Sequence, residues 1–177
     1  MMALMRVLPP TVLAVLALAA AAEARTITHG TIHVGRGAEG IELDMTRAQV
    51  IGAAGNPLME NGLGTMSYAS ESSNGIFDVY RYQDTKRVRM LVIAFPHSTG
   101  WHLGNGISVF KAGAVGKLMD RYGKRLKRRY DQTADFRLYY LKSRLHGRPV
   151  ETQFQVPRFS RSALVEDIFV LFTDRPA

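Results

Sequence analysis

The chain has 177 residues, a net charge of +8 and no cysteine. Its length fits one domain with a core of ordinary size. Without cysteine there is no disulfide framework, no thiol catalysis and no cysteine-ligated metal, so packing alone must hold the fold.

The N-terminus reads as an export signal. A short start ending in the positive Arg6 precedes Pro9-Pro10, and Thr11–Ala22 is almost entirely Ala, Leu and Val. Ala22-Glu23-Ala24 places small residues where signal peptidase reads, which predicts cleavage after Ala24. The apolar run is shorter than the about 20 residues that an uncleaved membrane anchor needs, and Glu23 and Arg25 close it off. The mature protein is therefore expected in the periplasm, at the cell surface or secreted.

Residues 25–40 have the character of an N-terminal strand followed by a flexible joint. Thr26–Thr28 and Thr31–Val34 favour strand, and Gly35-Arg36-Gly37 breaks it. A single α+β domain is expected over 41–177. Thr46-Arg47-Ala48-Gln49 is a capping box, with Met45 and Val50 at the positions of a hydrophobic staple. The helix it opens should run to Ala54, closed by Gly55 and stopped by Pro57.

Strands follow over Thr65–Ser70 and Ile76–Tyr82 around the turn pair Asn74-Gly75, then over Arg87–Phe95 after Asp84-Thr85-Lys86. Arg87–Phe95 is apolar enough for a central strand. Trp101–Val109 reads as a strand broken at Asn105-Gly106. A second helix is predicted over Gly113–Tyr122, where Val115, Leu118, Met119 and Tyr122 form one stripe, ended by Gly123. Phe136–Lys142 should pair with Pro149–Val156 across His146-Gly147. In the latter strand Val150, Thr152, Phe154 and Val156 alternate with Glu151, Gln153 and Gln155, the mark of one buried and one wet face. Ala163–Thr173 is the last expected strand.

Ile41, Val50 and Gly55 can be overlaid on Val109, Leu118 and Gly123 at equal spacing. That overlay suggests tandem helix-plus-strands repeats over 41–105 and 106–177. The architecture expected is α+β, one antiparallel sheet with two helices packed on one face.

Leu43-Asp44-Met45-Thr46-Arg47-Ala48-Gln49-Val50 followed by Gly55-Asn56-Pro57 resembles the opening of the SmpA/OmlA-type modules, which include outer-membrane assembly lipoproteins. The tandem layout is similar to that of the secreted β-lactamase-inhibitor-like proteins. The resemblance implies a small extracytoplasmic binding module rather than an enzyme. With no cysteine in the chain, neither the lipid anchor of the first group nor the disulfides of the second can form here.

Several patterns bear on chemistry. Gly35-Arg36-Gly37-Ala38-Glu39-Gly40 spells a dinucleotide fingerprint, but that motif needs a helix opening on the glycines, and Ile41-Glu42-Leu43 intervenes. No cofactor is expected. His29 and His33 sit four apart in a strand-like context, which would separate them by about 13 Å, and no glutamate completes a metalloprotease pattern. His97-Ser98 with Asp78 or Asp84 supplies the residue types of a hydrolase without a nucleophile elbow.

Two surfaces are candidates for binding. If Phe77 and Val79 face the core, Asp78, Tyr80 and Tyr82 point outward; if Phe136 and Leu138 do, Arg137 and Tyr139 point outward. With Gln153 these tyrosines and Arg137 would form a partner-binding sheet face, Tyr and Arg being common interface anchors. Ordinary cross-strand pairing of aromatics is the other reading. The second surface is the run Arg121, Lys124, Arg125, Lys127, Arg128 and Arg129, flanked by Tyr122 and Tyr130. It reads as a patch for a wall polymer or anionic lipid, or as a solvated helix-to-strand connection relieved by Asp120, Asp131 and Asp135. Export makes nucleic acid the least favoured polyanion. The main expectation is a non-enzymatic module holding a protein partner on its sheet face; a polyanion binder and a secreted hydrolase are the alternatives.

Overall fold

The computed structural model describes residues 24–69, 75–95, 98, 100–132 and 135–174. The expected signal segment and Asn74 therefore lie outside the described residues, apart from Ala24. The chain is α+β. Its first helix, α1 (Arg47–Ala54), opens on the capping box read from the sequence. Thr46 accepts from the Gln49 backbone N–H while the Gln49 side chain accepts from the Thr46 N–H at 2.8 Å. Gly55 ends it, its N–H donating to the Ile51 carbonyl at 2.8 Å. α2 (Ala114–Tyr122) ends at Gly123 as the apolar stripe and glycine imply.

The expectation of one sheet needs correcting, because there are two. The strands β1 (Gly30–His33), β2 (Gly37–Ala38), β3 (Ile41–Glu42) and β8 (Trp101–Leu103) form a small sheet in the order β3-β2-β1-β8, with β1 and β8 parallel. The glycine-rich segment expected to be a joint is this tight meander. Gly35 and Gly37 are buried, and the Gly35 N–H donates to the buried Thr152 hydroxyl at 2.7 Å. A Cβ at residue 37 would run into the Ile41 carbonyl oxygen, so only glycine fits there. Gly37→Ala should therefore destabilise the fold by about 2 kcal/mol or more, read from the urea midpoint, since the clash is with backbone and cannot be relieved by a side-chain turn.

The large sheet contains β4 (Met59–Glu60), β5 (Thr65–Ala69), β6 (Ile76–Arg81), β7 (Val88–Ala94), β9 (Lys127–Asp131), β10 (Phe136–Leu145), β11 (Arg148–Val156) and β12 (Asp167–Phe172). Its order is β4-β5-β6-β7-β12-β11-β10-β9, all antiparallel. Each helix thus precedes a four-stranded meander, and the two meanders meet at β7–β12. The β10–β11 hairpin turns at His146-Gly147, both at positive φ (50° and 80°), the geometry of the tight hairpin turn that matches strand twist. The last strand is shorter than the expected Ala163–Thr173. Ala163 and Val165 are buried but run as loop, with the Ala163 carbonyl accepting from Val115 in α2 and the Val165 N–H donating to Val109.

The core lies between the sheets. Trp101 of β8 stacks on Phe95 at 5.3 Å and tilts against Phe77 of β6 at 5.5 Å, which fixes the face of the large sheet that points inward. Both helices bury residues into this same cluster, Val50 and Ala54 from α1 and Val115 and Leu118 from α2. Among the described residues no helix is long and apolar enough to cross a membrane.

Candidate functional site

In an antiparallel sheet, residues directly opposite one another share a face, so pairing registers trace rows across it. One row runs Phe77, Ile93, Ile168, Phe154 and Tyr139. All five are buried, from 0% to 4% exposed, and this is the core side. The neighbouring row runs Asp78, Val92, Phe169, Gln153, Tyr140 and Lys127, and the next Tyr80, Met90, Leu171, Glu151 and Lys142. These rows form the open face.

That open face is largely apolar at its centre. Val92 pairs with Phe169 and Met90 with Leu171 across the β7–β12 junction. All four are half-buried, and none belongs to the core cluster or packs against it. Ile76, 41% exposed, extends the patch along β6. Tyr80 closes one side, its hydroxyl donating to Asp78 Oδ2 at 3.4 Å. Burial, and then the neighbouring Asp78 carboxylate, push the Tyr80 phenol above its ordinary pKa, so it stays a neutral donor. Asp167 beside the patch is likewise pushed up, by burial and then by Glu166.

The other side of the face is basic and aromatic. Arg129 lies over the Tyr140 ring at 5.2 Å and reaches the buried Glu151 carboxylate at 3.6 Å; Lys142 approaches the same ring at 5.8 Å. Gln153 Nε2 donates to Glu151 Oε2 at 2.8 Å. At one end, recesses of about 370 and 230 Å³ adjoin at Tyr82 and Arg89, the first also lined by Tyr80 and the second by Met90 and Leu171.

The expected partner-binding residues thus divide. Tyr80 and Gln153 are on the open face. Tyr139 is not: it faces the core, where its ring meets Phe159 edge-on at 5.4 Å, and Phe136 and Leu138 take the open side. Arg137 shares the Tyr139 side, stacks over Tyr130 at 5.0 Å and pairs with Asp135 at 3.2 Å. Tyr82 lies past the end of β6, beyond a register shift at Tyr80/Arg81, and packs against the core with its hydroxyl donating to the Asp174 carbonyl. The physical reason is parity. A single-position slip in assigning a strand exchanges its faces, and a bulge resets the alternation. Met90, Val92, Phe169, Leu171 and Tyr140 escaped the sequence reading because an unbroken apolar run suggests burial on both faces. No signal in the sequence separates them: that Val88, Leu91 and Ile93 bury more deeply than Met90 and Val92 follows from the fold.

The six cations of the basic run are all exposed but do not form one patch. Arg121 is in the last turn of α2, Lys124 and Arg125 are in the 3-10 turn Gly123–Arg125, and Lys127, Arg128 and Arg129 belong to β9. The register sends Lys127 and Arg129 to the open face and Arg128 to the other, where it lies over Phe159 at 5.7 Å. The connection expected between helix and strand is therefore itself a strand. Two of the acids expected to relieve it are engaged elsewhere, Asp120 with Arg161 at 2.6 Å and Asp135 with Arg137.

Among the described residues no group of three or more His, Cys, Asp or Glu is placed to hold a metal. His102 meets the Thr31 hydroxyl at 3.0 Å in the small sheet. His97 lies outside the described residues, and the Ser98 hydroxyl accepts from the Gly100 N–H at 3.2 Å. Comparison with protein-family models, curated proteins and solved structures finds no match.

Proposed function

We propose that this protein is an exported, non-enzymatic binding module that holds a protein partner against the open face of its eight-stranded sheet. The observation that carries this reading is the strand-paired quartet Met90, Val92, Phe169 and Leu171, apolar, partly exposed and outside the core. An uncovered apolar centre rimmed by Tyr80, Tyr140, Gln153 and charged side chains is the composition of an interface, with aromatics to anchor and a polar rim to orient. Charges of both signs stand at each side, Asp78 and Arg89 near Tyr80 and Arg129, Lys142 and Glu151 near Tyr140, and would fix the register of a partner.

Export rests on the leader read in residues 1–24. The resemblance to the SmpA/OmlA-type modules and the tandem-repeat reading belong to the same proposal. The latter draws support from the two helix-then-meander units, β4 to β7 after α1 and β9 to β12 after α2. The polyanion alternative draws less, because β9 divides its cations between two faces.

The test is capture from the exported fraction by the tagged full chain. Tyr80→Ala with Phe169→Ala should remove the captured partner while far-UV circular dichroism and the urea midpoint stay close to those of the parent. An unaltered set of captured proteins would reject the reading.

A further inference from the structure

We propose that the free edge of β9 is a docking strand for an extended acidic peptide, which adds to the large sheet as a ninth strand. This site adjoins the open face, with which it shares Lys127 and Arg129, but it uses the backbone edge of β9 and does not depend on the apolar centre.

The two edges of the sheet differ. One is β4, only two residues long and so a poor template. The other is β9, five residues long, exposed throughout, and paired to β10 without a register shift from Lys127 to Asp131. Among the described residues no strand lies beyond it. An edge strand points every second N–H and C=O outward, and these are the groups that an added strand pairs with.

The side chains decide which strand. A second copy of β9 would set Arg129 directly against Arg129 in full antiparallel register, and Lys127, Arg128 and Arg129 all against their own kind in parallel register, and like charges directly opposite are destabilising. The same cations favour an acidic strand. Arg128 and Arg129 are also held in place, over Phe159 and Tyr140, so little freedom is lost on binding. A flat membrane or a polymer lying on one surface would engage one face of β9 only. A peptide running along the edge meets the cations on both.

The probe is a labelled synthetic peptide of repeated Glu-Glu-Val, whose carboxylates fall on both faces of an extended strand, followed by fluorescence anisotropy with the full chain. A second peptide of the same sequence is methylated at all its backbone nitrogens: it has equal charge and cannot donate to the edge. The unmethylated peptide should bind, and the methylated one should bind about tenfold more weakly or worse, since several backbone hydrogen bonds are lost. Lys127→Gln should weaken the first peptide, and Lys117→Gln on α2 should not. Equal binding of the two peptides would overturn the proposal. So would anionic phosphatidylglycerol vesicles binding the chain in a Lys127-dependent way while the unmethylated peptide does not. The comparison of the peptides uses the unaltered chain and holds whether or not a β9 variant folds.

Discussion

Replacing Trp101 with alanine should cost about 3–5 kcal/mol of unfolding free energy, the range for truncating a large buried aromatic side chain. Trp101 is fully buried and stands where the two sheets meet, within 5.5 Å of Phe77 and 5.3 Å of Phe95. The surrounding rings, Phe77 in β6 and Phe95 just past β7, are held by separate segments and cannot collapse together into the space, so a cavity would remain. Most domains have only about 5–15 kcal/mol to lose, so the variant should unfold at far lower urea. Trp101→Phe is the informative companion. It keeps a ring against both neighbours and deletes a buried indole N–H that has no hydrogen-bond partner among the described residues. Its loss should be well under half that of the alanine variant. Urea unfolding followed by circular dichroism checks both. An alanine variant nearly as stable as the parent would mean that the sheets do not depend on this contact.

The second large effect should come from Glu60. Its carboxylate bridges two arginines, Arg47 at 2.8 Å and Arg81, whose side chain is 8% exposed. Glu60→Ala strands the Arg81 guanidinium in a buried site without its counter-charge, where Nε already lacks a partner among the described residues. The expected cost is about 2–3 kcal/mol, less than for a fully buried pair broken from one side because the Glu60 side chain is 23% exposed. Arg81→Met should cost much less, because it removes the buried charge along with the bridge.

The pair also sets a dependence on pH. The Arg47 hydrogen bond, together with the charges of Arg47 and Arg81, outweighs burial and holds the Glu60 carboxyl below its ordinary value of 4.5. A carboxyl with a depressed folded-state pKa contributes stability that is present above the unfolded value and lost as pH falls through the folded one. The gap in stability between the parent and Glu60→Ala should thus be widest above pH 4.5 and narrow as the solution is acidified below it. Urea titrations across that range provide the check. A gap that stayed constant through acid would contradict the bridge.

Local signals carried much of the fold. The Thr46–Gln49 capping box, the Gly55 and Gly123 stops, the His146-Gly147 hairpin and the alternation of Val150 to Val156 all rest on interactions a few residues apart, and all are seen in the structure. The second sheet was not legible, because β1 and β8 pair across some seventy residues. Nor was the role of Gly35 and Gly37, which serve close packing rather than a joint.

The face of β10 was undecided by pattern alone. Phe136, Leu138 and Tyr140 lie on one parity and Tyr139 and Leu141 on the other, so both sides read as apolar. Only the register with Phe154 places Tyr139 inward. β9 was hidden by its own composition, since Lys-Arg-Arg is poor in strand-favouring residues and forms a strand through its ladder with β10. The apolar centre of the open face was disguised in the same way, as strands that looked buried on both sides.

The most direct test of the open face as the binding surface is photo-crosslinking of the full chain in its exported fraction. A benzophenone side chain is placed at position 80 or 169 on that face, or at position 117 on the exposed side of α2. Positions 80 and 169 should yield the same adduct, of one mass, and position 117 should yield none. An adduct from position 117 with nothing captured at 80 or 169 would contradict the assignment.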